Sequence, residues 1–214
     1  TDAGVHAIGQ VAHFQVSRSF SPFILLRGLN ALLPEDISVS SVDPVTPSFH
    51  ARFGVKRKTY SYFIYNSPIR SAWKRKCAWH IRLPLDLEKM RQAAKALIGT
   101  HDFTSLCAKD NDAEDHTVTL VKVSITKNKD QIQITLIASR FLRYMVRNIA
   151  GLLVEVGQGR RAPDDISLIL EGKDRWLSGK TAPPHGLFLM KVEYPVLRKA
   201  ERDALPSKSA EHRD

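Results

Sequence analysis

The sequence predicts an α+β protein: a mixed, largely antiparallel sheet flanked by helices, in two subdomains that share a continuous sheet with the candidate site in the cleft between them. Three observations carry this reading. Thr117–Lys127 and Gln131–Ser139 read as two strands joined by the short turn Asn128-Lys129-Asp130, a hairpin. Helical stretches fall between strands irregularly, where a parallel βαβ array would alternate strictly. Strand-and-helix groups stand on both sides of about residue 53, and no Gly/Ser-rich linker divides them.

Taken in order, Gly9–Val16 alternates in the manner of a strand, with Val11, His13 and Gln15 on one face and Ala12, Phe14 and Val16 on the other. Ser21-Pro22 reads as an N-cap with proline in the first helical turn, and Pro34 would stop that helix. Its inward face would be Phe23, Leu26, Leu29 and Leu33. Ile37–Val42 is a second short strand, and Lys56–Tyr65 a third with Tyr60, Tyr62 and Phe63 close together. Asp86 caps a helix over 87–98 that Gly99 ends. After the hairpin come a long amphipathic helix over 141–156, a helix over 162–170 and a last strand over 187–194. The rest is a charged tail, and no internal repeat or low-complexity segment occurs.

Composition narrows the functional classes. Hydrophobic residues make up 43% of the 214, enough to bury a core. Lys and Arg number 32 against 22 Asp and Glu, a formal net charge of +10, which attracts polyanions such as nucleic acid. Cys77 and Cys107 are far apart and have no metal-like spacing, so a disulfide scaffold is not expected and a reducing, cytoplasmic compartment is. No apolar run approaches the roughly 20 residues that span a bilayer.

Few residues carry chemistry by pattern alone. Asp2 precedes Ala3-Gly4, a pair that lets the backbone turn tightly and come close to a ligand. An acid before glycine is also a common turn former. A catalytic role would need a cation, and Arg147 is a candidate, since a guanidinium at salt-bridge distance favours the charged carboxylate. Such a carboxylate can act as a nucleophile or a base. Arg140, Arg143 and Arg147 fall at i, i+3 and i+7, on one face of the expected long helix. That stripe fits phosphate binding, an inward-turned arginine, or a solvated basic face. Tyr60 follows Arg57-Lys58-Thr59, so a ring that could stack on a base stands beside basic residues. The eight histidines show no ligand spacing, and no P-loop, G-x-G-x-x-G or G-x-S-x-G occurs, so neither a metal nor a cofactor is expected.

Several segments together resemble the tRNA pseudouridine synthase A family. They are Thr1-Asp2-Ala3-Gly4-Val5-His6-Ala7, Phe49-His50-Ala51-Arg52-Phe53, Lys58-Thr59-Tyr60, His101-Asp102-Phe103-Thr104-Ser105, 141–149 and 183–189, in the family's order. The resemblance implies an isomerase that converts uridine to pseudouridine at positions 38, 39 and 40 of the tRNA anticodon stem-loop, without a cofactor, as a homodimer. It implies Asp2 as the catalytic aspartate, Arg147 as its paired arginine and Tyr60 as the tyrosine against the target base. Leu189 would line the pocket. Phe49, His50, Ala51, Arg52 and Phe53 would contact tRNA, chiefly through Arg52, and Lys58 and Arg143 would add RNA contacts. On this reading residues 1–52 are the remainder of an N-terminal subdomain, 53–195 the C-terminal subdomain and 196–214 the tail.

Two departures stand beside the resemblance. The family's signature continues upstream of Thr1 with Gly-Arg, a strand and a helix, so the sequence reads as N-terminally truncated. His116-Thr117-Val118-Thr119 stands where the family usually carries an arginine. A tRNA-binding fragment without catalysis is therefore the alternative to an active enzyme, and a basic protein with non-specific nucleic-acid affinity is a third reading.

Overall fold

The structure, a computed structural model, describes residues 1–18, 20–109 and 114–195. The expected tail, 196–214, lies outside the described residues. The described residues divide into two compact units: Thr1–Gln10 with Val55–Tyr194, and Val11–Gly54 with Pro195.

The first unit holds every strand and most of the helix found among the described residues. Its elements in chain order are β1 (His6–Ala7), β2 (Arg57–Asn66), β3 (Trp79–Ile81), α2 (Leu87–Lys95), β4 (Gly99–Asp102), β5 (Thr117–Asn128), β6 (Gln131–Ala138), α3 (Met145–Gly157), α4 (Asp165–Gly172) and β7 (Leu187–Glu193); α1 (Pro22–Leu32) belongs to the second unit. The seven strands run in the order β1-β7-β2-β6-β5-β4, with β3 also paired to β2. All pairings are antiparallel except β1–β7 and β2–β3. The α+β sheet expected from the sequence is therefore present, mixed and mostly antiparallel.

Alternation sets the sheet's inner face. In β6 every second residue is buried, which puts Ile132, Ile134 and Leu136 in the core at 0% exposure while Gln133 and Thr135 face the other way. Tyr62 and Ile64 of β2 join them on the inner side. The β5–β6 hairpin turns at Lys129, whose φ of 52° supplies the left-handed step of so short a connection. Asp86 caps α2 as expected, its side chain accepting from the N–H groups of Glu88 and Lys89.

The long helix differs from expectation. It starts at Met145, because Tyr144 adopts φ 63°, a left-handed conformation that no helix can pass through. Arg140 and Arg143 therefore lie before α3, and the three arginines do not form one helical stripe. Arg140 pairs with Asp115 at 2.7 Å, and the Arg143 guanidinium carbon stands 5.1 Å from the centre of the Tyr144 ring. Eleven of the helix's thirteen residues are buried, since α3 packs against α2, β2 and the 3-10 turns Thr104–Leu106 and Arg175–Ser178. A helix so enclosed is largely apolar, and Arg147 and Glu155 are its two half-buried positions, so the basic face expected from the sequence is absent.

The second unit departs more. Neither Gly9–Val16, which begins at the end of the first unit, nor Ile37–Val42 forms the expected strand. β character depends on a paired neighbour more than on local alternation, and neither segment enters a ladder here. Instead the Asn30 side chain brackets Val39, donating to its carbonyl at 2.9 Å and accepting from its N–H at 2.8 Å. α1 forms where Ser21-Pro22 predicted, but Phe23 is 62% exposed and the helix buries no residue fully.

Candidate active site

Asp2 opens a tight turn in which the Val5 N–H donates to the Asp2 carbonyl at 3.1 Å. Gly4 has φ +77°, a conformation that favours glycine, and a side chain there would also press on Pro184 at 3.2 Å. The turn feeds β1, which lies parallel to β7 with His6 opposite Phe188 and Ala7 opposite Leu189. The His6 and Phe188 rings stack at 4.5 Å, and His6 Nε2 donates to the Lys76 carbonyl at 2.7 Å.

This turn brings Asp2 to the first turn of α3. Arg147 Nη1 lies 3.4 Å from Asp2 Oδ2, with the two side chains 14% and 30% exposed. The distance is longer than the 2.7–2.9 Å of a tight charge-assisted bond. Partial shielding makes the pair less sensitive to salt than a surface pair. Arg147 Nε donates to the Ala182 carbonyl at 2.8 Å, and its guanidinium carbon stands 4.8 Å from the centre of the Tyr144 ring.

Asp2 and Tyr60 share a cleft of about 240 Å³, lined also by Phe141, Arg143, Tyr144 and Leu187. Clefts for drug-sized ligands run to about 300–1,000 Å³, so this one suits a single ring. Tyr60 projects from β2, and Phe141 packs edge-on against it at 5.0 Å. Burial, and secondarily the Asp2 charge, push the Tyr60 phenol above its ordinary range, which keeps it neutral. A larger hollow of about 320 Å³ lies between Trp79–Leu83 and the end of α3. Its one carboxylate, Glu155, is engaged by Arg161 at 2.6 Å and by the Lys180 N–H, so it lacks an available acid.

The other residues singled out in the sequence fall as follows. Leu189 is buried at 3% exposure and is Tyr60's register partner on β7, while Leu187, two residues earlier on the same face, lines the cleft. Lys58 sits two residues before Tyr60 on β2, so both point to one side of the strand. Phe49–Phe53 belongs to the second unit, where His50 organises it. Its Nδ1 accepts from the N–H groups of Arg52 at 3.1 Å and Phe53 at 3.2 Å, and its ring lies 4.5 Å from that of His13. Phe53 is 76% exposed, with the Arg52 guanidinium 5.4 Å from its ring centre. Phe141, Tyr144 and Leu187 fall in the segments 141–149 and 183–189, but no pattern singled out any of them as a cleft residue. The Tyr144 conformation in particular has no sequence signal, because tyrosine does not favour positive φ.

A carboxylate beside a guanidinium, a neutral phenol ring and apolar walls can hold a planar polar ring and act on it by nucleophilic or general-base chemistry. Comparison with known proteins agrees in kind. The family described as tRNA pseudouridine synthase matches residues 93–195. The chain is similar to a tRNA pseudouridine synthase A of Geobacillus sp. (strain WCH70), 46% identical over 194 residues, covering 91% of this chain and 78% of the relative. Proteins of the same name from Bacillus subtilis (strain 168) and Bacillus velezensis are each 44% identical with the same coverage. No helix among the described residues is long and apolar enough to cross a membrane.

Proposed function

The chain belongs to the tRNA pseudouridine synthase A family, and from that premise we propose that it isomerises uridine to pseudouridine at positions 38, 39 and 40 of the anticodon stem-loop, with Asp2 as the catalytic carboxylate. The observation that carries this is the Asp2–Arg147 pair, 3.4 Å apart, in one cleft with Tyr60.

The reaction breaks the N1–C1′ bond of the nucleotide, turns the base and forms a C5–C1′ bond. The C5 proton leaves and N1 gains one, so atoms and electrons balance without redox chemistry. Asp2 serves this by attack on C1′, by addition to C6 of the base or by removal of a sugar proton; all three need it ionised and close to the nucleotide. The target base must leave its stack, at a cost of a few kcal/mol. Stacking on Tyr60 and phosphate contacts from basic residues, Lys58, Arg143 and the Phe49–Phe53 segment among them, offset that cost. Leu187 and the buried Leu189 complete the apolar side of the pocket. Two copies of the chain form the working unit.

The test is tritium release from unmodified tRNA carrying 5-tritiated uridine. The unaltered chain is expected to release tritium and Asp2→Asn to release none. Undiminished release by Asp2→Asn would overturn the assignment. Stable tRNA binding without any release by the unaltered chain would favour a binding protein instead.

A further inference from the structure

Arg147 can serve Asp2 only if its guanidinium is held, and the strap that holds it, Gly179–Pro184, is itself gripped at every step. Lys180 N–H donates to Glu155, and its carbonyl lies so close to Gly151 of α3 that an added Cβ would sit 1.9 Å from it. Ala182 is bonded to Arg147 twice: its N–H donates to the Arg147 carbonyl at 3.1 Å, and its carbonyl accepts from Arg147 Nε at 2.8 Å. The Pro183 carbonyl accepts from the Tyr62 hydroxyl at 2.8 Å, and Pro184 abuts Gly4, two residues from Asp2. One short segment thus touches the supports of both charged partners.

Between these points sits a polar knot that the proposed reaction leaves without a role. Asn148, 0% exposed and next to Arg147 on α3, donates to the Leu106 carbonyl at 2.9 Å. Its Oδ1 accepts from the Thr181 hydroxyl at 2.7 Å and from Arg175 Nη2 at 3.0 Å. Arg175 Nη2 also donates to Thr181 Oγ1 at 2.7 Å, while its Nη1 donates to Ser178 Oγ and to the Gly179 carbonyl. The four acceptors of Arg175 among the described residues are neutral oxygens, so the guanidinium works as a hydrogen-bonding bracket. With Asn148 and Ser178 buried and Arg175 and Thr181 half-buried, the network favours one geometry, because an unmet bond at its buried end would leave a costly polar group.

We propose that the Arg175–Asn148–Thr181 bracket is a positioning device: it fixes the Gly179–Pro184 strap, and through Ala182 it sets the orientation of Arg147 toward Asp2. Displacement of a reacting group by about 1 Å can cost on the order of 100-fold in rate. Thr181 is the sensitive point, since its hydroxyl is the only group on the strap that reaches both Asn148 and Arg175. The inference rests on the proposed role of Arg147, and its test includes a readout independent of turnover.

Thr181→Val removes the hydroxyl at nearly constant volume, and Thr181→Ser keeps it. In tritium release, Thr181→Val is expected to lower kcat about tenfold with KM for tRNA changed less than about twofold, and Thr181→Ser to restore kcat. In an Arg147→Lys background, Thr181→Val should add little further loss. In ¹⁵N-arginine spectra of the same proteins, the Arg147 Nε–H signal, assigned by its disappearance in Arg147→Lys, should shift and exchange faster in Thr181→Val and return in Thr181→Ser. An unmoved Nε–H signal in folded Thr181→Val, or a fully additive double variant, would overturn the bracket's role. If the unaltered chain releases no tritium, the proposed reaction fails while the Nε–H comparison still decides the bracket.

Discussion

Asp2 and Tyr60 face one cleft, and their chemistry divides cleanly. The carboxylate has a cation at 3.4 Å, while the phenol is pushed upward by burial and by that carboxylate's charge. A phenol kept neutral is a poor base, so in the proposed reaction Tyr60 contributes its ring. Tyr60→Phe is therefore expected to keep kcat/KM within about threefold, whereas Tyr60→Ala should lose about 5- to 150-fold, the equivalent of 1–3 kcal/mol of base stacking. Tritium release under subsaturating tRNA checks both; equal losses in the two variants would assign the role to the hydroxyl. At this scale the sequence was informative where a motif spelled out a residue and silent where geometry did. Asp2 beside Ala3-Gly4 announces a turn with an acid in it, and Arg147 was a nameable partner. Tyr144 at φ 63° and the Thr181 hydroxyl meeting Asn148 and Arg175 depend on how distant segments meet, which no local pattern encodes.

Among the elements, α3 does most to assemble the site, and Gly151 is its most constrained position. A methyl group there would drive into the Lys180 carbonyl, a backbone atom that cannot rotate aside. Gly151→Ala is expected to destabilise by about 1–3 kcal/mol despite alanine's better helix propensity, read as a lower midpoint in urea. The end of β4 offers a pH test. Burial opposes the charge on Asp102, yet the Thr104 hydroxyl, the Lys173 ammonium at 2.9 Å and the Thr104 N–H hold its carboxyl down at about 2. A carboxyl depressed in the folded state stabilises fully above its ordinary range near 4 and loses that contribution as pH falls through about 2. The melting temperature of the unaltered chain should accordingly fall more steeply between pH 5 and 2 than that of Asp102→Asn. The β5–β6 hairpin, β7 and the α2 cap were legible because each is a local signal: alternation, a short turn, an Asp ahead of an apolar period. The expected strands at Gly9–Val16 and Ile37–Val42 failed because alternation reports a half-buried face and says nothing about a partner strand.

At the scale of the molecule, a formal charge of +10 makes the association with tRNA an exchange of counterions. The tRNA dissociation constant should rise with salt along a log–log slope steeper than about 3, the value for roughly four neutralised phosphates. A filter-binding series from low to physiological salt measures it, and a flat response would rule out an electrostatic mode. The fold also governs how many molecules are competent at any moment. The stretch carrying Asp2 joins the sheet through a two-residue ladder, with the N–H groups of Ile8 and Gly9 both reaching the Leu189 carbonyl. So brief a seam can open on its own, at a free energy well below that of melting the β2–β6–β5 core. Under the proposed role of Asp2, observed turnover is an intrinsic rate multiplied by a docked fraction, and warming erodes the fraction first. Amides of Ile8 and Gly9 should exchange with deuterium far sooner than those of Ile134 and Leu136, and the enzyme should fall silent at a temperature where its far-ultraviolet spectrum is still that of the native protein.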